Sequence, residues 1–383
     1  MKKIKAVKIA AINALVLGGG WLALVTTAAG AFDSNQSIAS RSTDREIAGD
    51  GRLSLPQPKA GRAKPLVVIV AQNEGAETTD FMIPLGIIRD SGVADVHSVS
   101  TGSGPVTLMP NFKIVADETI RAFDAAEPSG ADIVIVPAQH NSSDPTLTSW
   151  IKVQAAKDAV IFSICEGARV VAGAGLLKGK RATTHWFATQ ELQKKYPDTD
   201  WVTNKRYVQD GNVISTSGVT ASIPTSLALV EAISGPAAAR RTANRLGVSE
   251  WTSVHRSADF ILKPSDAANV LLSYLLFWSN ETIEAPLTSG MNEVSLALRA
   301  DAWTRSYSAN VVSTSTTKDG VVRSLHGLVI LPDGEPNGGL VLPGQDGPAV
   351  AALGNAISAI RARYGPSAAC LAVLGLEYDA PSP

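Results

Sequence analysis

Leu66-Val67-Val68-Ile69-Val70-Ala71 is an unbroken apolar run. Such a run predicts a strand buried on both faces of a parallel sheet. Ala131-Asp132-Ile133-Val134-Ile135-Val136-Pro137 and Ala159-Val160-Ile161-Phe162-Ser163-Ile164 follow the same pattern. Between them, residues 80–90 and 147–156 read as helices, the first ending near Gly92. Residues 96–99 and 113–115 read as short strands. After the third apolar run come a helix rich in small residues over 167–177 and strands over 182–184, 201–203, 207–209 and 213–216. A helix over 222–233 completes the series. This alternation predicts an α/β fold, a mainly parallel sheet sandwiched by helices.

A second region begins near Gly235. Residues 240–246 and 269–278 read as helices, the latter too short to span a bilayer. Beyond them the chain echoes its own opening. Val99-Ser100-Thr101, a Gly turn and Asn111-Phe112-Lys113-Ile114-Val115 are matched by Val312-Ser313-Thr314, a Gly turn and His326-Gly327-Leu328-Val329-Ile330. Ile133-Val134-Ile135-Val136-Pro137-Ala138 is matched by Gly339-Leu340-Val341-Leu342-Pro343-Gly344. A helix over 350–364 and a strand over 369–374 would then complete a truncated α/β half-repeat. Leu374-Gly375-Leu376 stands where the first copy has its cysteine, so the copy is chemically dead. The competing reading is that any two β-turn-β-α-β segments look alike.

The N-terminus has another character. Lys2, Lys3, Lys5 and Lys8 precede an almost uncharged stretch over residues 9–32 that ends in Ala29-Gly30-Ala31. Residues 1–32 therefore read as a cleaved signal peptide or an uncleaved membrane anchor, with the rest exported to the periplasm or held outside the inner membrane. Residues 33–64, rich in Ser, Arg, Gly, Asp and Pro, read as a solvated linker. Residues 65–235 form the main domain, and 236–383 a helical connector plus the half-repeat. A formal net charge of −1 gives no electrostatic case for nucleic acid.

Two cysteines, Cys165 and Cys370, exclude a disulfide-stapled scaffold. The five histidines, His97, His140, His185, His255 and His326, form no close ligand pair, so no metal is expected. The sequence has no phosphate-binding loop or dinucleotide fingerprint, so no cofactor is expected either. Cys165 ends an apolar run and begins a helix, with Gly167 two residues on. A cysteine on that corner projects from a strand end beside helix N–H groups that favour a thiolate, the logic of a nucleophile elbow. A buried structural cysteine explains the local pattern as well.

The stretch from Cys165 through Gly167, Ala174-Gly175-Leu176-Leu177, Gly179 and Ala182-Thr183-Thr184-His185-Trp186 resembles the ThiJ/PfpI superfamily. So do Asp210-Gly211-Asn212-Val213-Ile214, Ser217-Gly218-Val219-Thr220 and the opening Glu77-Thr78-Thr79-Asp80-Phe81-Met82-Ile83-Pro84. The resemblance covers about residues 65–235. It is closest to isocyanide-hydratase-like members and to sensor domains of AraC-type regulators. It implies a flavodoxin-like, class I glutamine amidotransferase-like fold with Cys165 as nucleophile and Asp80 as an acid beside the sulfur. By spacing alone, Asp80 reads as a helix N-cap. The resemblance also implies a histidine near the thiol, His185, although a lone strand-end histidine is more often structural.

Backbone N–H groups of Glu166, Gly167, Ala138 and Gln139 could form an oxyanion hole. This chain departs from the family pattern in three places. Ala138-Gln139-His140 replaces two glycines, Glu166 replaces a small or hydroxylic residue, and Pro224 replaces an acid. Glu166 should either raise the thiol pKa or serve as the acid itself. Three function classes follow: a cysteine-dependent hydratase or hydrolase acting on a small electrophile, a metabolite- or redox-sensing module, or a structural envelope protein. A small-molecule ligand and self-association as a homodimer are expected. Arg240-Arg241-Thr242-Ala243-Asn244-Arg245-Leu246-Gly247-Val248-Ser249 resembles the start of a helix-turn-helix, but an exported chain meets no chromosome.

Overall fold

The computed structural model describes residues 51–261, 280–317, 319–344 and 347–378. The proposed export segment, the first part of the linker and the helix expected over 269–278 lie outside the described residues. Among the described residues, no helix is long and apolar enough to cross a membrane.

The first half runs β1 (Leu66–Ala71), β2 (Ala76–Glu77), α1 (Thr78–Ser91), β3 (Asp95–Ser100), β4 (Val106–Met109), β5 (Lys113–Val115) and β6 (Glu118–Thr119). It continues through α2 (Ile120–Ala126), β7 (Ile133–Val136), α3 (Pro145–Ala156), β8 (Val160–Ser163) and α4 (Gly167–Gly173). Next come β9 (Arg181–Ala182), α5 (Trp186–Lys195), β10 (Asp200–Trp201), β11 (Tyr207–Asp210), β12 (Val213–Thr216) and α6 (Ser222–Ser234).

The central sheet has the order β11-β12-β8-β7-β1-β3-β6, parallel throughout except for β11. Within it, β3-β1-β7-β8-β12 is the flavodoxin-like order 2-1-3-4-5. Side chains alternate across each strand. Val67, Ile69, Ile135 and Phe162 face one core with α1 and α6, while Val68, Val70, Val134 and Ile161 face the other with α2, α3 and α4. Burial on both faces is why these strands carry uninterrupted apolar runs. Gly92 ends α1 at φ 67°, a left-handed cap that favours glycine.

The second half runs α7 (Pro236–Leu246), β13 (Glu281–Pro286), α8 (Glu293–Thr304), β14 (Ala309–Thr314), β15 (Val322–Arg323), β16 (Val329–Leu331), β17 (Leu340–Val341), α9 (Ala349–Tyr364) and α10 (Pro366–Leu376). Its parallel sheet has the order β14-β13-β17. Strand β16 pairs antiparallel with β5, so the two halves share one mixed sheet. The strand expected over 369–374 is helix α10 instead. Pro366 at its first turn and a run of Ala and Leu favour helix, and no strand precedes it to extend.

Two other expectations change. Residues 51–64 have no regular elements and lie at the surface, yet they are pinned to the domain. The Lys59 amide donates to Asp132 Oδ1 (2.8 Å), Arg62 pairs with Asp132 (2.8 Å), and the Ser54 amide donates to Gln209 (2.8 Å). The helix-turn-helix resemblance also ends at α7, because no helix follows between Gly247 and Arg256. Arg240 of that segment stacks on Trp251, and Arg245 pairs with Asp90.

The halves meet along α1 and α8. At one end of this contact His326 Nδ1 lies 2.6 Å from Glu293 Oε1, and Nε2 lies 3.4 Å from Asp90 Oδ1. Burial opposes the charged ring, but its hydrogen bonds to Asp90 and Glu293 push its pKa up to about 9. An unfolded histidine titrates near 6.5, roughly. The stabilisation is therefore complete below that pH and is lost as pH rises through about 9. Comparing His326→Gln with wild type by denaturant unfolding should give a loss on the order of 2 kcal/mol in mild acid, vanishing in alkali. A pH-independent difference would exclude this linkage.

Candidate active site

Strand β8 is buried along its whole length and delivers Cys165 to its carboxyl end. Cys165 has φ 55°, in the left-handed region. A side chain there costs about 1–3 kcal/mol, which the surroundings must offset. Two threonines hold the corner. The Cys165 amide donates to Thr216 Oγ1 (3.1 Å), and Thr184 Oγ1 donates to the Cys165 carbonyl (3.0 Å). The Gly167 amide closes the turn onto the Ile164 carbonyl at 2.7 Å. A Cβ on Gly167 would lie 2.1 Å from the Val136 carbonyl oxygen, so only glycine fits.

Cys165 is 5% exposed. Its thiol is pushed well above the usual range, first by burial, then by Asp80, Glu166 and Glu77, with Arg305 opposing. The helix N-terminus at the corner favours a thiolate, while burial and the three neighbouring acids work against it.

Asp80 lies in the first turn of α1, but the N-cap is Glu77, whose carboxylate accepts the Asp80 amide at 2.5 Å. Asp80 Oδ2 accepts the Ala138 amide (3.1 Å), while Oδ1 is buried without a hydrogen-bond partner. Burial raises the Asp80 pKa to about 7. Glu77 and Asp301 are likewise raised to about 7, mainly by burial. Arg305 bridges the two acids, 2.7 Å from Glu77 Oε1 and 2.8 Å from Asp301 Oδ2. Three buried carboxyls and a thiol around one guanidinium cannot all ionise near neutrality, so the cluster titrates as a unit.

The other expected residues are distributed differently. Glu166 turns to Arg169 (2.7 Å) and is not the buried acid. The Ala138 and Gly167 amides are spent on Asp80 and Ile164, so neither is free for an oxyanion. The Gln139 side chain instead fastens strand ends, accepting the Gln72 amide (2.9 Å) and donating to the Val70 carbonyl (3.1 Å). His185 is buried as the N-cap of α5, with Nδ1 accepting the Phe187 amide. Burial lowers its pKa.

Glu377, after α10, closes this side. Its carboxylate accepts the Trp186 (2.6 Å) and Gly218 (2.7 Å) amides and lies 3.1 Å from His255 Nε2 and 4.0 Å from His185 Nε2. Burial works against its charge, but the His255 hydrogen bond, His185 and the Trp186 amide hold its pKa below the usual range. Glu77, Asp301, Arg305, Thr216, Thr184 and Glu377 were not singled out as site residues by sequence reasoning. Of these, Glu77 and Thr184 lay within the motifs that carry the family resemblance, Glu77-Thr78-Thr79-Asp80 and Ala182-Thr183-Thr184-His185. Among the described residues, no group of three or more His, Cys, Asp or Glu is arranged to hold a metal ion. A cleft of about 440 Å³ opens over the ends of β1 and β7, lined by Gln72, Glu74, His140, Asn141 and Asp144. It lies where the strand order reverses, the usual place for a ligand in such sheets.

The DJ-1/PfpI family model matches residues 65–232. The isonitrile hydratase of Pseudomonas putida is 36% identical over 161 residues, 41% of this chain and 67% of that protein. The chain belongs to the DJ-1/PfpI family. Another relative, the HTH-type transcriptional regulator CdhR of Pseudomonas aeruginosa, is 33% identical over 144 residues. That match covers 37% of this chain and 41% of the regulator. The Parkinson disease protein 7 homolog of Danio rerio is 29% identical over 181 residues, 45% of this chain and 90% of that one. Among solved structures, a DJ-1 superfamily protein from Salmonella typhimurium has a TM-score of 0.43 and 24% identity, covering 48% of this chain and 98% of that one. In this DJ-1/PfpI chain the elbow depends on Gly167. Gly167→Ala should lose about 3 kcal/mol of stability, the upper end of overpacking costs, because backbone rather than a pliable side chain blocks the Cβ. Thermal unfolding measures this, and an unchanged Tm would contradict the close approach.

Proposed function

We propose that this chain is an exported DJ-1/PfpI protein that uses Cys165 on the electrophilic carbon of a small molecule, as a hydratase or hydrolase. The supporting observation is Cys165 held at φ 55° beside a buried Asp80 with an unpartnered carboxyl oxygen. A non-glycine residue kept in that conformation at a strand end is strain of the kind found at functional sites. In the proposed reaction, ionised Asp80 takes the thiol proton as sulfur bonds to carbon. It then returns that proton to the adduct. Water adds to the same carbon, the C–S bond breaks, and sulfur regains a proton. For an isocyanide, the sum is addition of one water to give an N-substituted formamide.

A second reading, a sensing module that binds a metabolite without turnover, is favoured by the enclosed thiol with its raised pKa. The similarity to a transcriptional regulator also supports it. Export rests on residues 1–32, with cleavage after Ala31 or retention as an anchor. Two experiments test these readings. Against a panel of small isocyanides and aldehydes, Cys165→Ser should abolish turnover, and Asp80→Asn should lower it by about 10²–10⁴-fold. Wild-type kcat/KM should rise with pH through about 7 as Asp80 ionises. Full activity in Cys165→Ser would overturn the nucleophile, and no turnover by wild type would leave the sensing module. Intact mass of the protein from the envelope fraction should start at Phe32 or at the original N-terminus. Recovery only from the cytoplasm would overturn export.

A further inference from the structure

The second half follows the plan of the first. The series β13-α8-β14-β15-β16-β17-α9 runs in the order of β1-α1-β3-β4-β5-β7-α3, and β14-β13-β17 has the parallel arrangement of β3-β1-β7. Strand β13 and helix α8 each start 215 residues after β1 and α1 (281 − 66 and 293 − 78). Where the first half continues into β8 and Cys165, the second turns into α10.

The two units also meet in a self-complementary way. Strands β5 and β16, which hold equivalent positions, pair antiparallel with Ile114 opposite Ile330. Helices α1 and α8 pack head to tail. Glu77 at the start of α1 meets Arg305 just past the end of α8, and Asp90 near the end of α1 meets His326, bonded to Glu293 at the start of α8. Gly86 permits the approach, since a Cβ there would lie 2.6 Å from Val294 Cγ2. Such reciprocity is the signature of an isologous, two-fold contact. It arises here within one chain.

The contact is not symmetric in chemistry. At the end nearest Cys165, the second half brings Arg305 onto Glu77 and Asp301 onto Thr79 of the first. We propose that the second half acts as a built-in partner subunit and that its Arg305 is a positioning residue for the Cys165 thiol. The proposal rests on Cys165 being the reacting group. The charged and titratable groups whose fields reach the thiol are Asp80 and Glu77 from α1, Glu166 from the elbow and Arg305 after α8, with His185 and Asp301 coupled to these in turn. Arg305 is the group in that set that favours the thiolate. It also neutralises Glu77, which would otherwise oppose it. Both carboxylate oxygens of Asp301 accept from Arg305 Nε, at 2.9 and 2.8 Å, and so set how much of its charge reaches the sulfur.

The test is a titration of the Cys165 thiol by ultraviolet thiolate absorbance in a Cys370→Ser background. The trace of Cys165→Ser/Cys370→Ser is subtracted. Arg305→Gln should raise the midpoint by at least about one unit, a tenfold lower thiolate fraction at a given pH. Asp301→Asn should move it in the opposite direction, and Arg305→Lys, which keeps the charge, should stay nearest wild type. Should Arg305→Gln fail to fold, the other two variants decide. A purely structural role would lower Tm in all three while leaving the midpoint in place, and that result would overturn the proposal. Opposite shifts with turnover intact in Cys165→Ser would instead remove the nucleophile and leave the positioning role standing.

Discussion

A single half-buried guanidinium ties this molecule together. Arg305 reaches from the second half to Glu77 of the first while paired with Asp301 of its own helix. Removing three ionisable groups from water is costly, and the attraction offsets that cost only if each keeps its partners. Thr79 adds to the set by donating to Glu77 and approaching Asp301. The approach of α1 to α8, the pairing of β5 with β16 and the enclosure of Cys165 are all compatible with this one arrangement of charges. Displacing α8 would leave two acids buried without a cation.

The same cluster sets the surroundings of a thiol that is enclosed rather than exposed. Strain at Cys165 turns the sulfur to the mouth of the sheet, but the mouth is covered. The second half brings α8 to one side, and the chain end brings Glu377 onto the amides of Trp186 and Gly218 on another. Chemistry at such a site depends on where a few protons reside. Asp80, Glu77 and Asp301 all lie near pKa 7, so protonation near neutrality is finely balanced. Turnover and sensing are two uses of the same balance.

Much of the first half was legible because its signals are local. Strand β1 coincides with an uninterrupted apolar run, and β12 and α6 likewise follow from composition and period. The elbow was legible because Gly167 must follow Cys165 at that spacing. Asp80 was recognised by its motif, although its neighbour Glu77 proved to be the cap. Helix α5 was missed because its turns are mostly polar, with Ala188 and Leu192 as its buried residues. Helix α8 was missed because its charged residues Glu293, Arg299 and Asp301 are buried, which hides the usual polar face. Residues 369–374 were misread because a short apolar run has no period of its own.

The sequence by itself determined the layered α/β plan, the strained cysteine corner and the family. These depend on burial patterns and turn geometry written over a few consecutive residues. Only the tertiary structure decided the electrostatic surroundings of the thiol, the partners of the Ala138 and Gly167 amides and the packing of α8 against α1. The reason is that electrostatics in a dry interior depends on all charges within reach, whatever their separation in the chain. Thr79 and Asp301 are 222 residues apart and Trp186 and Glu377 are 191 apart, distances across which no local pattern carries information.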